Sequence, residues 1–168
     1  MAIKIGINGF GRIGRYFTRV ALRNPEIELV AINDLAPVKT LAHLLKYDSV
    51  HGRFNGTLST TENAIVANGH SIRITSHKNP ADIPWKELGV DIVVESTGLF
   101  LTHETASAHL TAGAKKVILS APPNSADIKA IVMGVNDNIL DGTEDIISNA
   151  SCTTNSAAPL VKKKKKLG

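Results

Sequence analysis

Three glycines, spaced Gly9-x-Gly11-x-x-Gly14, follow an apolar run from Ile3 to Ile7 and precede Arg15–Leu22, a segment with helical spacing. The pattern is a short buried strand, a tight turn and a helix. A helix that begins where a strand ends directs its free backbone N–H groups and the positive end of its dipole at the turn. A pyrophosphate suits that place. Gly9 makes the turn, Gly11 lets the backbone approach the phosphates, and Gly14 lets helix pack on strand. Asp34 stands 20 residues beyond Gly14, at the end of a second apolar run, Ile27–Ile32. Its carboxylate can accept both hydroxyl protons of an adenosine ribose and would repel a 2′-phosphate, which favours NAD over NADP. The plainer role for such an aspartate is to cap the next helix; the glycine turn beside it favours the cofactor.

A second chemical group is Cys152, in the stretch Ser148-Asn149-Ala150-Ser151-Cys152-Thr153-Thr154-Asn155, which follows the last expected strand and opens the last helix. A thiol at a helix N-terminus has its thiolate stabilised. Ser151 and Thr153 offer hydroxyls to an anion. Together they suit covalent catalysis on a carbonyl substrate, whereas the common fate of a lone thiol is a structural one in the core.

The elements that must position these groups alternate. After the first strand–helix unit comes a strand at Glu28–Asn33, then a helix opened by Pro37 and running through Leu45. Ala64–Val66 and Ser71–Ile74 flank Asn68-Gly69, a type I′ hairpin signal. Strands follow at Asp91–Glu95, Lys116–Ala121, Ala130–Val135 and Asp145–Ser148. Thr102 caps a helix that reaches about Ala112 and stops at Gly113. Alternating units of this kind imply an α/β fold, a doubly wound, mostly parallel Rossmann sheet with helices on both faces and a small antiparallel hairpin insertion. The ligand of such a sheet lies beyond the carboxyl ends of the strands. Asn33-Asp34-Leu35, Ser96-Thr97-Gly98-Leu99-Phe100 and Ser120-Ala121-Pro122 all fall there. Leu35 and Phe100 are placed to sandwich an adenine, with an ordinary core position the equal alternative for Phe100, while Thr97, Gly98 and Ser120 allow close backbone approach.

Composition sets the outer bounds. The 168 residues suffice for one domain with a full core. No apolar run approaches a membrane span, and Met1 leads directly into a strand, so no signal peptide is visible. One cysteine excludes an internal disulfide and, with scattered histidines, gives no metal site; a reducing cytoplasm is the expected setting. The formal net charge of +4 is local: without Lys162–Lys166 the balance is 14 basic to 15 acidic residues. The lysine run reads as a solvated helix terminus rather than a nucleic-acid surface, which would spread its cations over a face.

The chain resembles the N-terminal cofactor domain of phosphorylating glyceraldehyde-3-phosphate dehydrogenases. The resemblance rests on Ile5–Arg15, Ala31–Leu35, Leu45–Gly52, Val94–Gly98, Gly113–Ile118 and Ser148–Asn155, and spans residues 2 to about 161. It implies NAD as cofactor, with Asn8, Gly9, Gly11, Arg12, Ile13 and Gly14 about the pyrophosphate and Asp34 on the ribose. Lys78 would stand near the adenine, and Thr97, Gly98, Phe100 and Ser120 along the cofactor. It implies that Cys152 attacks an aldehyde to give a thiohemiacetal, that hydride transfer leaves a thioester, and that phosphate cleaves it. Ser151 and Thr153 match residues that bind substrate or inorganic phosphate.

The departures from the family shape the expectation. Residue 156 is serine where many members carry a second cysteine. Lys162–Lys166 replace mixed apolar residues, so that segment reads as a solubilised end on an isolated domain. No histidine lies downstream of Cys152 to act as its base. The expected division is an NAD-binding domain over residues 1–151, and over 152–168 the first helix of a catalytic domain with a lysine-rich end. The expected behaviour is NAD binding without turnover, glyceraldehyde 3-phosphate and phosphate being partners only of a longer enzyme. The alternatives are one half of a split active dehydrogenase, or a nucleotide- or RNA-binding module. The surface a second domain would cover is a candidate for self-association.

Overall fold

A computed structural model describes residues 2–167. Its centre is β1 (Ile3–Asn8), which pairs in parallel with β2 (Ile27–Asn33) on one side and with β6 (Ile92–Glu95) on the other. Between β1 and β2 runs α1 (Arg12–Ala21), and after β2 comes α2 (Val38–Lys46), which starts at Pro37. Then follow β3 (Leu58–Thr60), β4 (Ala64–Ala67) and β5 (His70–Thr75), of which β5 returns to pair in parallel with β2. Beyond β6 lie α3 (His103–Thr111), β7 (Lys116–Leu119), β8 (Lys129–Ala130), β9 (Ile146–Ser148) and α4 (Cys152–Leu167). The sheet order is β3-β4-β5-β2-β1-β6-β7-β9-β8. The chain leaves β1 in one direction and later resumes on its other side, so the β1–β6 boundary is the topological switch point where such sheets bind ligands.

Alternation along β1 builds two cores. Ile5 and Ile7 face α1 and α2, where they pack with Leu29, Ile32, Leu41 and Leu45. Gly6 faces the other way, under Trp85; a β-carbon there would stand 2.6 Å from the indole ring, so glycine is what admits the tryptophan. Trp85 is completely buried among Ala31, Ile83, Val90 and Val93. On the same face α3 packs Ala106 and Leu110 over Val117, Leu119 and Ile146.

Local signals act as expected at several points. Thr102 caps α3 in a capping box with Thr105, and Gly113 follows the helix at φ +103°. Asn68 and Gly69 both take positive φ at the β4–β5 turn, as a type I′ turn requires. Three expectations need correction. Leu58–Thr60 adds a third antiparallel strand against β4. The strand expected at Lys116–Ala121 ends at Leu119. The strand expected at Ala130–Val135 is reduced to β8, because the Asn136 side chain takes the Val132 amide (2.8 Å) and donates to the Ala130 carbonyl (2.9 Å), turning the chain. Lys162 also differs from a purely solvated lysine: its Nζ donates to the carbonyls of Gly134 and Val135 at 2.8 and 2.7 Å. Lys163 and Lys164 are exposed; the side chains of Lys165 and Lys166 lie outside the described residues. Among the described residues no helix is long and apolar enough to cross a membrane, and no cluster of metal-ligating side chains occurs.

Candidate cofactor cleft and reactive cysteine

The glycine turn is packed where it must be and open where a ligand must enter. A β-carbon on Gly14 would lie 2.2 Å from the Gly9 carbonyl oxygen, so glycine lets the first turn of α1 sit directly on the loop. Gly9, at φ +91°, is pressed against the Thr97 backbone, 2.7 Å from where its β-carbon would be. Around Gly11, by contrast, that direction is empty to 4 Å. Gly11 caps α1 without a side-chain hydrogen bond, and the first turn holds no acidic residue. The early amides of α1 are therefore left for an anion, with Arg12 and Ile13 exposed beside them.

Asp34 stands at the end of β2, half-buried. Its Oδ2 accepts the Phe10 amide at 2.7 Å and its Oδ1 accepts the Ala36 amide at 2.9 Å. It does not cap α2, whose N-cap is Pro37. Each carboxylate oxygen keeps acceptor capacity, enough for two ribose hydroxyls. A cleft of about 560 Å³ opens here, walled by Gly9 and Gly11, by Asp34 and Leu35, by His77 and Lys78, and by Thr97, Leu99 and Phe100. Asn8, Asn33 and Ser96 form its floor. Gly14 is buried below the turn, and Arg12, Ile13, Gly98 and Ser120 lie outside the walls of this volume. Ser120 follows β7, its amide bonded to the Glu95 carbonyl at 3.0 Å.

Sequence reading missed what lies under the cleft. The last residues of four adjacent parallel strands are in register: Glu95 opposite Asn8, Asn8 opposite Asn33, Asn33 opposite Thr75. Their side chains form one hydrogen-bonded rung. Asn8 donates to Glu95 Oε2 (2.7 Å), Asn33 donates to Asn8 Oδ1 (2.9 Å), and Thr75 and the His77 amide donate to Asn33 Oδ1, both at 2.9 Å. The rung extends through Glu95 to His109 (2.9 Å) and on to Trp85 (3.0 Å). A charged residue closing the apolar run Ile92–Val94 is the one trace of it in the sequence.

Cys152 is the first residue of α4 and is exposed. Ser151 caps the helix: its hydroxyl accepts the Thr154 amide at 2.9 Å and lies 3.0 Å from the Thr153 hydroxyl. The approach is fixed by β7 and β9, since the Asn149 amide reaches the Leu119 carbonyl (2.9 Å) and Ser148 Oγ donates to the Ala121 carbonyl (2.7 Å). Ala150, at φ +58°, makes the bend into the helix. Cys152 thus follows the carboxyl end of β9, at the same edge of the sheet as the glycine turn, and β9 lies three strands from β1, about 14 Å at the usual strand spacing.

A family model described as the NAD-binding domain of glyceraldehyde 3-phosphate dehydrogenase matches residues 3–103, more than half of the chain. The chain belongs to this family. Its cofactor is NAD. Glyceraldehyde-3-phosphate dehydrogenase of Geobacillus stearothermophilus is 58% identical over 163 residues, which cover 96% of this chain and 48% of that protein. The cytosolic glyceraldehyde-3-phosphate dehydrogenase of Leishmania mexicana is 56% identical over 160 residues, 95% of this chain and 48% of that protein. Glyceraldehyde-3-phosphate dehydrogenase 1 of Bacillus subtilis is 56% identical over 163 residues, with the same 48% share. The chain spans about half the length of the curated relatives it matches. The family match includes the glycine turn, Asp34 and Thr97–Phe100; the relatives' matches extend the likeness over nearly the whole chain.

Proposed function

We propose that NAD lies extended across the carboxyl ends of β2, β1, β6 and β7, held by the residues of the cleft. Asp34 takes the adenosine ribose, Leu35 and Phe100 enclose the adenine, and Lys78 covers its edge. The amides from Gly9 to Ile13 and the Arg12 side chain hold the pyrophosphate. Asn8, Gly14, Gly98 and Thr97 shape the bed on which it rests, and Ser120 stands toward the nicotinamide half. When bound, NAD supplies a hydride acceptor.

Cys152 is the nucleophile in this reading, with Ser151 and Thr153 placed for the phosphate of glyceraldehyde 3-phosphate or for inorganic phosphate. In the whole enzyme the thiol adds to the aldehyde carbon, and phosphate later releases the acyl group. By itself the chain binds NAD without turning over. All six histidines precede Cys152, and among the described residues none hydrogen-bonds to it. General-base assistance is worth about 10²–10⁴-fold in such reactions. Residues 1–151 form the cofactor domain in this reading, and α4 opens the next one. Leu160 and Val161 on α4 are exposed and offer a surface for self-association. A cytoplasmic setting suits the single thiol.

One observation carries the assignment: an uncapped helix end and the Asp34 carboxylate, joined through the Phe10 amide, face the same cleft. Amide chemical-shift mapping with NAD tests it. Shifts are expected to cluster at Gly9–Ile13, Asp34–Leu35 and Thr97–Phe100. Saturable shifts centred elsewhere would contradict it.

A further inference from the structure

The Glu95 carboxylate is completely buried and takes four hydrogen bonds, two on each oxygen. Oε2 accepts from Asn8 Nδ2 at 2.7 Å and from His109 Nε2 at 2.9 Å. Oε1 accepts from the Thr97 amide at 2.8 Å and from the Thr97 hydroxyl. The second of these pairs fixes the loop that follows β6. Behind the carboxylate, the Trp85 indole N–H points at His109 Nδ1, 3.0 Å away. An indole nitrogen only donates, so Nδ1 must accept and the imidazole proton sits on Nε2, aimed at Glu95. Trp85 thereby sets the tautomer, His109 anchors the carboxylate, and the carboxylate orients Thr97.

Thr97 is where this chain of bonds meets the cofactor turn. Its amide lies against Gly9, and the neighbouring Ser96 hydroxyl donates to the Gly9 carbonyl at 2.6 Å. The Thr97 hydroxyl also accepts the Leu99 amide at 3.1 Å, which folds the Thr97–Leu99 wall of the cleft. The same Glu95 residue accepts the Ser120 amide through its backbone carbonyl. No other charged side chain among the described residues is so placed beneath the switch point.

We propose that Glu95 is the positioning residue of this cleft: its buried carboxylate, held by His109 and Trp85, locks Thr97 against Gly9 in the arrangement that receives NAD. The proposal rests on the assignment of NAD to this cleft. A glutamine at position 95 has the same shape and one acceptor oxygen. Whichever way its amide turns, the NH₂ group faces at least one fixed donor, either the Thr97 amide or the donors of Asn8 and His109. An unsatisfied buried donor is costly, and the Ser96–Leu99 loop is the part free to move.

The test uses NAD titration by calorimetry and the Thr97 amide resonance in nitrogen-labelled chain. The unaltered chain and Asp34→Ala are measured first, since they test the cleft assignment alone. If the unaltered chain binds no NAD, that assignment falls and the proposal falls with it. Given binding, Glu95→Gln is expected to weaken NAD by about tenfold to a hundredfold, with the Thr97 amide shifted and its hydrogen exchange accelerated. His109→Leu, which removes the hydrogen bond to Glu95 and also the edge-on ring beside Phe100, is expected to do the same to a smaller degree; His109→Gln removes that ring too, so the difference between the two variants isolates the hydrogen bonds. His109→Gln, which keeps one donor and one acceptor, is expected to recover most of the affinity. If Glu95→Gln does not fold, the two His109 variants decide. A folded Glu95→Gln or His109→Leu protein with a freed Thr97 amide and undiminished NAD affinity would overturn the proposal. So would His109→Gln and His109→Leu binding NAD equally well.

Discussion

The Phe10 amide donates to Asp34 Oδ2 at 2.7 Å, so the end of β2 and the glycine turn after β1 are one hydrogen-bonded unit. The ribose acid and the phosphate turn are therefore preset relative to each other. That matters for affinity, because a site already in its bound geometry loses less entropy on binding. It also gives the carboxylate a defined direction, since the Ala36 amide holds its other oxygen.

A fixed carboxylate should discriminate between dinucleotides. NADP carries a phosphate where NAD carries a ribose hydroxyl, and it would meet the Asp34 charge. The unaltered chain is expected to bind NADP at least tenfold more weakly than NAD, a gap of about 1.4 kcal/mol. In Asp34→Ala the gap should close, mainly through loss of NAD affinity. Paired titrations check this; equal affinities in the unaltered chain would argue against a ribose role for Asp34.

Gly11 and Gly14 should respond in opposite ways to alanine. At Gly11 the added methyl enters open space at an ordinary φ of −71°. Thermal stability without ligand should hardly change, while NAD affinity falls because the methyl occupies the phosphate approach. At Gly14 the methyl strikes a backbone oxygen, and overpacking of that kind costs about 1–3 kcal/mol. Chemical unfolding and NAD titration of both variants separate the two effects.

Arg19 is a stability residue far from the chemistry. It is buried, and its guanidinium donates to the carbonyls of Leu45 at 2.6 Å and Gly52 at 3.0 Å, with its plane over Phe54. It closes the C-terminal end of α2, where a cation complements the helix dipole. Arg19→Met should lower stability by about 2–4 kcal/mol, since hydrogen bonds from a charged group are lost and the buried Leu45 carbonyl loses its Arg19 partner. The midpoint of urea unfolding reads it, and NAD affinity of the folded protein should stay within a few-fold.

Acid should loosen the β8–β9 edge and the β1–β6 join. The Glu144 carboxylate is held below its ordinary value of 4.5, first by the hydrogen bond from Lys129. The Asp91 carboxylate is held below its ordinary 3.8, first by Lys115 and then by the Lys4 amide. A carboxylate depressed in the folded state adds stability that is complete above its unfolded value and disappears as pH falls through the folded one. Lys129 is raised, first by Glu144, so its share is complete below its ordinary value of 10.5 and is lost as pH rises beyond it. The melting temperature should fall as pH drops below about 4.5, the ordinary glutamate value. Glu144→Gln should flatten part of that slope.

Much of this was legible in the residues because the signals were local. The Gly9–Gly14 turn, the Asn68-Gly69 hairpin and the Thr102 cap depend on backbone conformations that few residues satisfy, so composition and spacing reveal them. Asp34 was legible because it closes an apolar strand near the glycine turn. The Pro80–Val90 segment was not: Trp85 has no periodic partners, and its place depends on Gly6, 79 positions earlier. The rung from Thr75 to Glu95 was hidden for the same reason. Asn8, Asn33 and Glu95 each look like ordinary strand ends, and only the parallel register makes them neighbours. The Ala130–Val135 run was misread because one asparagine side chain, Asn136, outcompetes the sheet for its backbone groups.

The most direct measurement is calorimetric titration of NAD into the purified chain, with Asp34→Ala alongside. One saturable site per chain is expected, weakened at least tenfold by the substitution, since it removes a charged acceptor of two hydroxyls. Absence of saturable binding by a folded chain, or binding that Asp34→Ala leaves unchanged, would contradict the placement of NAD in this cleft.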